Sequence, residues 1–286
     1  MDFQSGKQQV IFLGSERRLD FTAGPLVMGI INCTPDSFYP GSRRPGTEEA
    51  VAEAERMISF GADILDICGE SSRPGADYLD AEEELGRVIP VIEKIRERSD
   101  IPVSVDTRKA RVAEAALDAG ADIVNDISAL KDDPDLAPLA AARRVPVILM
   151  HKKGVPKTMQ ENPEYSDPVR EIAGELAGYA EAAMEAGILR ENIIIDPGIG
   201  FGKRLQDNLA ILRNLKTFSS LGYPVLLGAS RKSFLGMVLG ADVEDRLGGT
   251  LAVHAWAVIH GADILRVHDV RETVEVIRVL SAIRSA

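Results

Sequence analysis

The sequence predicts an α/β fold, a single (β/α)8 TIM barrel with a short N-terminal β-hairpin, and three observations carry that expectation. Eight short apolar runs rich in Val and Ile recur along 286 residues. Segments of helical period alternate with them, and each run stops on a polar residue able to grip a ligand. Parallel strands covered on both faces read as short apolar runs without strict alternation. Their alternation with helices favours a closed barrel over an open doubly wound sheet. The length and the 45% hydrophobic content suit a barrel of about 250 residues as one unit.

In chain order, residues 1–24 are expected to form a hairpin extension. Val10 to Leu13 pairs with Leu19 to Phe21 around Gly14-Ser15, placed to plug the lower mouth of the barrel that residues 25–286 build. The first two barrel strands are the run Val27 to Ile31, ending on Asn32, and Ile64 to Ile67, ending in the Cys68 to Gly75 loop. Val103 to Val105 then meets Asp106, Ile123-Val124 meets Asn125, and Val147 to Met150 meets His151. The last three are Ile193 to Ile195 before Asp196, Val225 to Gly228 before the Ser230 to Ser233 loop, and Ile264 to Val267 before His268. Between them, Thr47 and Asp80 are expected to open acidic helices and Asp133-Pro134 another. Asp167 caps a helix with Pro168 at its first position and Val169, Ile172, Leu176, Ala180 and Ala183 on one face. Asp269 and Glu272 have the spacing of a capping box. The tetrapeptide Gly-Ala-Asp-Ile begins at Gly61, Gly120 and Gly261, each time setting a helix-ending glycine before a strand. This is an internal repeat of βα units.

A net charge of -11 excludes the clustered basic footprint of a nucleic-acid binder and opposes an anionic membrane surface. No secretory signal and no span of about 20 apolar residues is evident, so a cytoplasmic protein is expected. Cys33 and Cys68 follow the first two strands and are expected to be reduced thiols rather than a disulfide.

Barrel chemistry sits at the carboxyl ends of the strands. The loops there after strands one, two and five, roughly Cys33 to Gly46, Cys68 to Leu79 and His151 to Ser166, are candidate lids. Asp106, Asn125 and Asp196 bring two carboxylates and an amide to one mouth. A carboxylate accepts paired hydrogen bonds from an amidine-like edge and an amide both donates and accepts, so the trio suits a flat heterocycle such as a pterin or purine. Arg73, Lys232, Arg266 and His268 form a cationic group, with Arg231 and Lys203 nearby, and Arg266 and His268 share one side of their strand. Cations directed into the mouth of an acidic protein suggest a phosphate or diphosphate. Asn32 offers an amide oxygen to a hard cation such as Mg2+. Ser233 lies in the first turn of a short helix whose N–H groups suit a carboxylate, unless Ser230 or Ser233 is only a helix cap. His254 and His260 read as structural beside Trp256.

Several stretches in order resemble the dihydropteroate synthases of folate biosynthesis. They are Met28 to Phe38, Asp66 to Gly75, Val105-Asp106-Thr107, Asn125 to Ser128, Met150-His151, Asp196 to Lys203, Ser230 to Phe234 and Arg266-Val267-His268. The resemblance, running from about Val27 to the carboxyl end, implies a pterin-binding transferase. Such an enzyme condenses 6-hydroxymethyl-7,8-dihydropterin diphosphate with p-aminobenzoate to give 7,8-dihydropteroate and diphosphate. It implies pterin binding by Asp106, Asn125, Ile127, Met150, Asp196 and Lys232, and diphosphate binding by Asn32, Arg266 and His268, with Mg2+ on Asn32. It implies a p-aminobenzoate site of Ser72, Arg73, Pro74, Phe201, Lys232 and Ser233, with Arg73, Lys232 and Asp106 as catalytic residues, and a homodimer. The chain departs from the pattern at Tyr39-Pro-Gly-Ser42, where Ser-Asp-Gly-Gly is usual, and at Cys68 for glycine, Ser72 for threonine and Lys152-Lys153 after His151. Two other readings compete: a methyltetrahydrofolate-dependent methyltransferase on the same barrel, and a non-catalytic pterin-binding homologue. Ser72-Arg73-Pro74 and Ser230 to Ser233 argue against the first, because methyl transfer leaves no diphosphate or benzoate to hold.

Overall fold

The computed structural model describes residues 9–14, 17–33, 45–70, 79–154, 159 and 163–286. Two strands, β1 (Val10–Leu13) and β2 (Arg17–Asp20), pair antiparallel as a hairpin. Eight parallel strands follow: β3 (Leu26–Asn32), β4 (Ile64–Cys68), β5 (Val103–Asp106), β6 (Ile123–Asp126), β7 (Val147–Met150), β8 (Ile193–Asp196), β9 (Leu226–Leu227) and β10 (Ile264–Val267). Each pairs with its sequence neighbour, and β10 returns to β3. A bridge between Ile195 and Val225 closes the ring between β8 and β9, with Ile195 N donating to Pro224 O at 3.0 Å.

The connecting helices are α1 (Pro45–Phe60), α2 (Ala81–Arg96), α3 (Ala110–Asp118), α4 (Leu136–Arg143), α5 (Pro168–Glu185), α6 (Leu205–Arg213), α7 (Leu215–Ser219), α8 (Ser233–Leu239), α9 (Leu247–Ile259) and α10 (Val270–Ser285). Two expected starts hold in detail: Asp80 accepts from Glu83 N at 2.8 Å and Asp167 from Arg170 N at 3.1 Å. Three differ. α1 begins at Pro45, two residues before Thr47. α4 begins at Leu136 because Asp133 turns its carboxylate to Asp135 N and, across the barrel surface, to Ala110 N at the head of α3. The Asp269 side chain caps nothing; Arg231 claims both its oxygens, at 2.8 and 2.9 Å, and a charge-assisted fork outcompetes a lone N–H.

Strand alternation gives the barrel an outer face against the helices and an inner face against itself. Outward residues such as Val27, Leu65, Val103, Val124, Val147, Ile193 and Leu265 join the helix-packed core. At the amino-terminal end the inward residues are Met28, Ile64, Ile123, Ile148, Ile194, Leu226 and Ile264, and they form one cluster with Ile11, Leu13, Leu19 and Phe21 of the hairpin. The hairpin is therefore the plug expected of it. Each of those four side chains contributes about 1.5–3 kcal/mol by leaving water.

The Gly-Ala-Asp-Ile repeat has a structural job at this same end. Its glycines take positive φ, 97°, 110° and 98°, to turn from helix to strand. Its aspartates each accept from an N–H at or beside the start of the preceding neighbour strand: Asp63 from Val27 at 2.8 Å, Asp122 from Val103 at 2.9 Å and Asp263 from Val225 at 2.6 Å. Asp122 also binds Arg17 of the hairpin, at 2.6 Å, and Arg96 of α2.

Candidate active site

Two residues further along most of these strands, the inner face changes character. Ile64 gives way to Asp66, Ile123 to Asn125, Ile148 to Met150, Ile194 to Asp196, Leu226 to Gly228 and Ile264 to Arg266. Register then aligns Asn32, Cys68, Asp106 and Asn125 side by side at the top of four neighbouring strands.

Arg266 organises this layer. Its Nε donates to Asp66 Oδ2 at 2.6 Å, and its Nη2 donates to Asp106 Oδ2 at 2.8 Å and to Cys68 Sγ at 3.0 Å. Asn125 Nδ2 donates to the same Asp66 oxygen at 3.1 Å. Asp66 is wholly buried, so Arg266 is the charge that makes its carboxylate tolerable. Burial opposes charge on Arg266, but Asp66, Cys68 and Asp106 outweigh it and hold the guanidinium firmly protonated. Burial likewise pushes the Asp106 carboxyl above the usual carboxylate range, with Arg266 pulling the other way. Cys68 is raised well above an ordinary thiol by burial and Cys33 to about 12 for the same reason, so both are inert free thiols.

Across the mouth, Asp196 accepts from Gly198 N at 2.7 Å, and burial raises its carboxyl while Lys232 lowers it. Burial brings Lys232 down to about 8 against the pull of Asp196. Its ammonium donates to Ile199 O and lies 4.6 Å from the Phe201 ring centroid. Phe201, Met150, Ile127 and Met159 make a separate buried apolar cluster beside these polar groups. His268 is exposed, its backbone N and Nδ1 both on Ser230 Oγ at 3.2 and 3.0 Å. Ser233 is exposed at the start of α8 and neither serine caps that helix.

The structure thus brings together Asp106, Asn125, Asp196, Lys232, Arg266, Ile127, Met150 and Phe201, with Asn32, His268 and Ser233 on the rim. Ser72, Arg73, Pro74 and the Tyr39-Pro-Gly-Ser42 departure lie outside the described residues. Arg231 belongs elsewhere: at φ 54° it turns to Asp269 and the Val243 and Glu244 carbonyls. Lys203 is no surface cation but a buried one. His254 and His260 are structural, His254 on Thr273 at 3.1 Å and His260 stacked on Trp256. Sequence reasoning missed Asp66. The signal was there, since a carboxylate inside Ile-Leu-Asp-Ile of a strand covered on both faces must find a buried cation.

Carboxylates, an amide and a lysine beside an apolar cluster with one aromatic ring suit a flat polar heterocycle, and the sequence pattern described as pterin binding enzyme matches residues 28–268. The chain belongs to the dihydropteroate synthase family of pterin-binding enzymes. It is 46% identical over 266 residues to the dihydropteroate synthase of Bacillus subtilis, covering 92% of this chain and 90% of that one. Against the Escherichia coli K12 enzyme of the same name the identity is 46% over 262 residues, covering 92% and 93%. The solved Xanthomonas albilineans dihydropteroate synthase with 4-aminobenzoic acid superposes with a TM-score of 0.92 at 43% identity, covering 98% and 100% of the two chains. A structure of the enzyme from that organism in complex with 7,8-dihydropteroate gives 0.88 at 41%, covering 97% and 99%. Membership in this family makes the chain a transferase on a TIM barrel. Among the described residues no helix is long and apolar enough to cross a membrane.

Proposed function

We propose that the barrel mouth condenses 6-hydroxymethyl-7,8-dihydropterin diphosphate with p-aminobenzoate, yielding 7,8-dihydropteroate and diphosphate for folate biosynthesis. The observation that carries this reading is the inward convergence of Asp106, Asn125 and Asp196 from three different strands around one mouth, with Lys232 opposite and Phe201 against it. In the proposal, Asp106, Asn125, Asp196 and Lys232 bind the edge of the pterin while Ile127 and Met150 pack its faces. Asn32, Arg266 and His268 receive the diphosphate. Arg266 can serve two masters, because its Nε and Nη2 are engaged by carboxylates while a guanidinium carries five N–H groups in all. Ser72, Arg73, Pro74, Phe201, Lys232 and Ser233 receive p-aminobenzoate.

Departure of diphosphate from the methylene carbon leaves a cation delocalised into the dihydropterin, so no protein nucleophile is required. Arg266 and His268 stabilise the charge that develops on the leaving group, and Arg73 is assigned the same work from its loop. Lys232 and Asp106 hold the ring so that the amine meets the carbon in line, which converts the encounter into an intramolecular one. Mg2+ would be held by Asn32, a hard amide oxygen at a strand exit, and would offset the negative charge of the substrate phosphates. It does not fit the cluster of Asp66, Cys68 and Asp106, whose centre the Arg266 guanidinium already takes.

The same proposal takes residues 1–24 as a plugging extension and 25–286 as the catalytic barrel. It makes the protein a homodimer through α8, α9 and the turn between them, which expose Met237, Val238, Leu239, Val243, Trp256 and Ile259, apolar side chains that a second copy would cover. It places the enzyme in the cytoplasm, where a diphosphate substrate is retained and two buried thiols stay reduced.

The test mixes purified protein with the pterin diphosphate, Mg2+ and p-aminobenzoate and follows both diphosphate and dihydropteroate. Stoichiometric formation of the two supports the reading. Diphosphate without dihydropteroate places the defect in the p-aminobenzoate loops, and neither product overturns the assignment.

A further inference from the structure

Lys203 is 2% exposed, yet the pterin edge, the diphosphate and the p-aminobenzoate each have other partners. Its Nζ lies 3.0 Å from His151 Nδ1, 3.2 Å from His151 O and 3.0 Å from Phe201 O. An ammonium has three N–H groups and no lone pair, so three acceptors match it one for one. His151 Nδ1 must then be unprotonated and its proton must sit on Nε2, which faces Glu175 Oε2 at 3.4 Å. The two elements joined are the exit of β7 and the loop of residues 197–203, and they touch closely. A Cβ on Gly198 would stand 2.0 Å from His151 O and one on Gly202 2.1 Å from Lys153 O, and both glycines have positive φ. The loop carries Phe201, which packs on Met150 and Ile127, and Ile199, whose carbonyl holds Lys232.

We propose that Lys203 is a positioning residue: its ammonium clips the 197–203 loop onto the β7 exit and so fixes Phe201 where p-aminobenzoate packs. The role rests on the assignment of Phe201 to the p-aminobenzoate site. A neutral amine has two N–H groups for three acceptors. To keep the third contact, His151 must shift its proton to Nδ1 and donate to the amine, giving up the hydrogen that faces Glu175. The charged groups around Lys203 are Asp196, Lys232, Glu175 and Asp207. Burial, opposed first by Asp196, brings Lys203 down to about 7, whereas His151, at about 2, stays neutral. The clip is therefore strongest below about pH 7 and weaker above it, where keeping the third contact costs the hydrogen that faces Glu175. Lys232, at about 8, titrates separately and is the reason a variant is needed.

The experiment measures KM for p-aminobenzoate, KM for the pterin diphosphate and kcat from pH 6 to 9 for the wild type and Lys203→Met, and follows the His151 ring nitrogens by NMR in the wild type. Loss of a charged donor predicts a rise of about tenfold in KM for p-aminobenzoate at pH 6 in the variant, with kcat and the pterin KM changed less. The wild-type KM should rise through pH 7 toward the variant's, and the variant should lack that rise. His151 Nδ1 should change from an unprotonated to a protonated nitrogen over the same range. An unchanged p-aminobenzoate KM in Lys203→Met, or equal losses in all three constants, would overturn the positioning role. A His151 Nδ1 that already carries the ring proton at pH 6 would overturn the clip even if the variant fails to fold. A wild type with no turnover sinks the site assignment, and the His151 titration then decides the clip alone.

Discussion

The two ends of the barrel are made by the same eight strands, only two residues apart, and they are built on opposite principles. At the amino end the inner face is Met28, Ile64, Ile123, Ile148, Ile194, Leu226 and Ile264, sealed by hairpin side chains, and the aspartates of the repeat are spent on backbone N–H groups. At the carboxyl end the inner face is Asp66, Asn125, Met150, Asp196 and Arg266, and carboxylates are balanced against a guanidinium and an ammonium. The lower layer contributes stability and register. The upper layer holds charges that a stable core would avoid, and it keeps them because a polar ligand needs them.

That contrast can be broken most severely at Arg266. Arg266→Ala should leave Asp66 as a buried carboxylate without its cation, a loss of about 3–5 kcal/mol in urea unfolding together with loss of turnover. A fall in activity at unchanged stability would mean that Asp66 has another partner. At the opposite end, Leu19→Ala removes a fully buried plug side chain and should cost about 2–5 kcal/mol, while KM for either substrate stays at the wild-type value. A substrate-specific change in KM would show that the plug reaches the site. A smaller effect is expected from Asp63→Ala, which strips one acceptor from the N–H of Val27; about 1–3 kcal/mol should be lost, again with kinetics intact.

The lower layer and the strand exits were legible in the chain because they are local. Apolar runs, caps such as Asp80 and Asp167, and the repeated Gly-Ala-Asp-Ile follow from residues close in sequence. The repeat was visible but the work of its aspartates was not, because Asp63 and Asp263 bind N–H groups 36 and 38 positions away. Asp269 had the spacing of a capping box and lost it to Arg231, 38 positions back. Asp66 and Arg266, 200 positions apart, meet only when the barrel closes, so neither could be paired by inspection. Lys203 follows the glycine-rich segment from Gly198 to Gly202, and only the folded chain turns it inward onto His151.

The central claim is that the upper inner layer is the floor of a pterin site, and Asp196 tests it most directly. Asp196→Asn keeps the size of the side chain and an oxygen for the N–H of Gly198 but removes the charge that would pair with an amidine-like edge. Calorimetric titration with a dihydropterin should show affinity reduced about tenfold to a hundredfold relative to the wild type, at unchanged unfolding stability. Equal affinity in the two proteins would contradict the account.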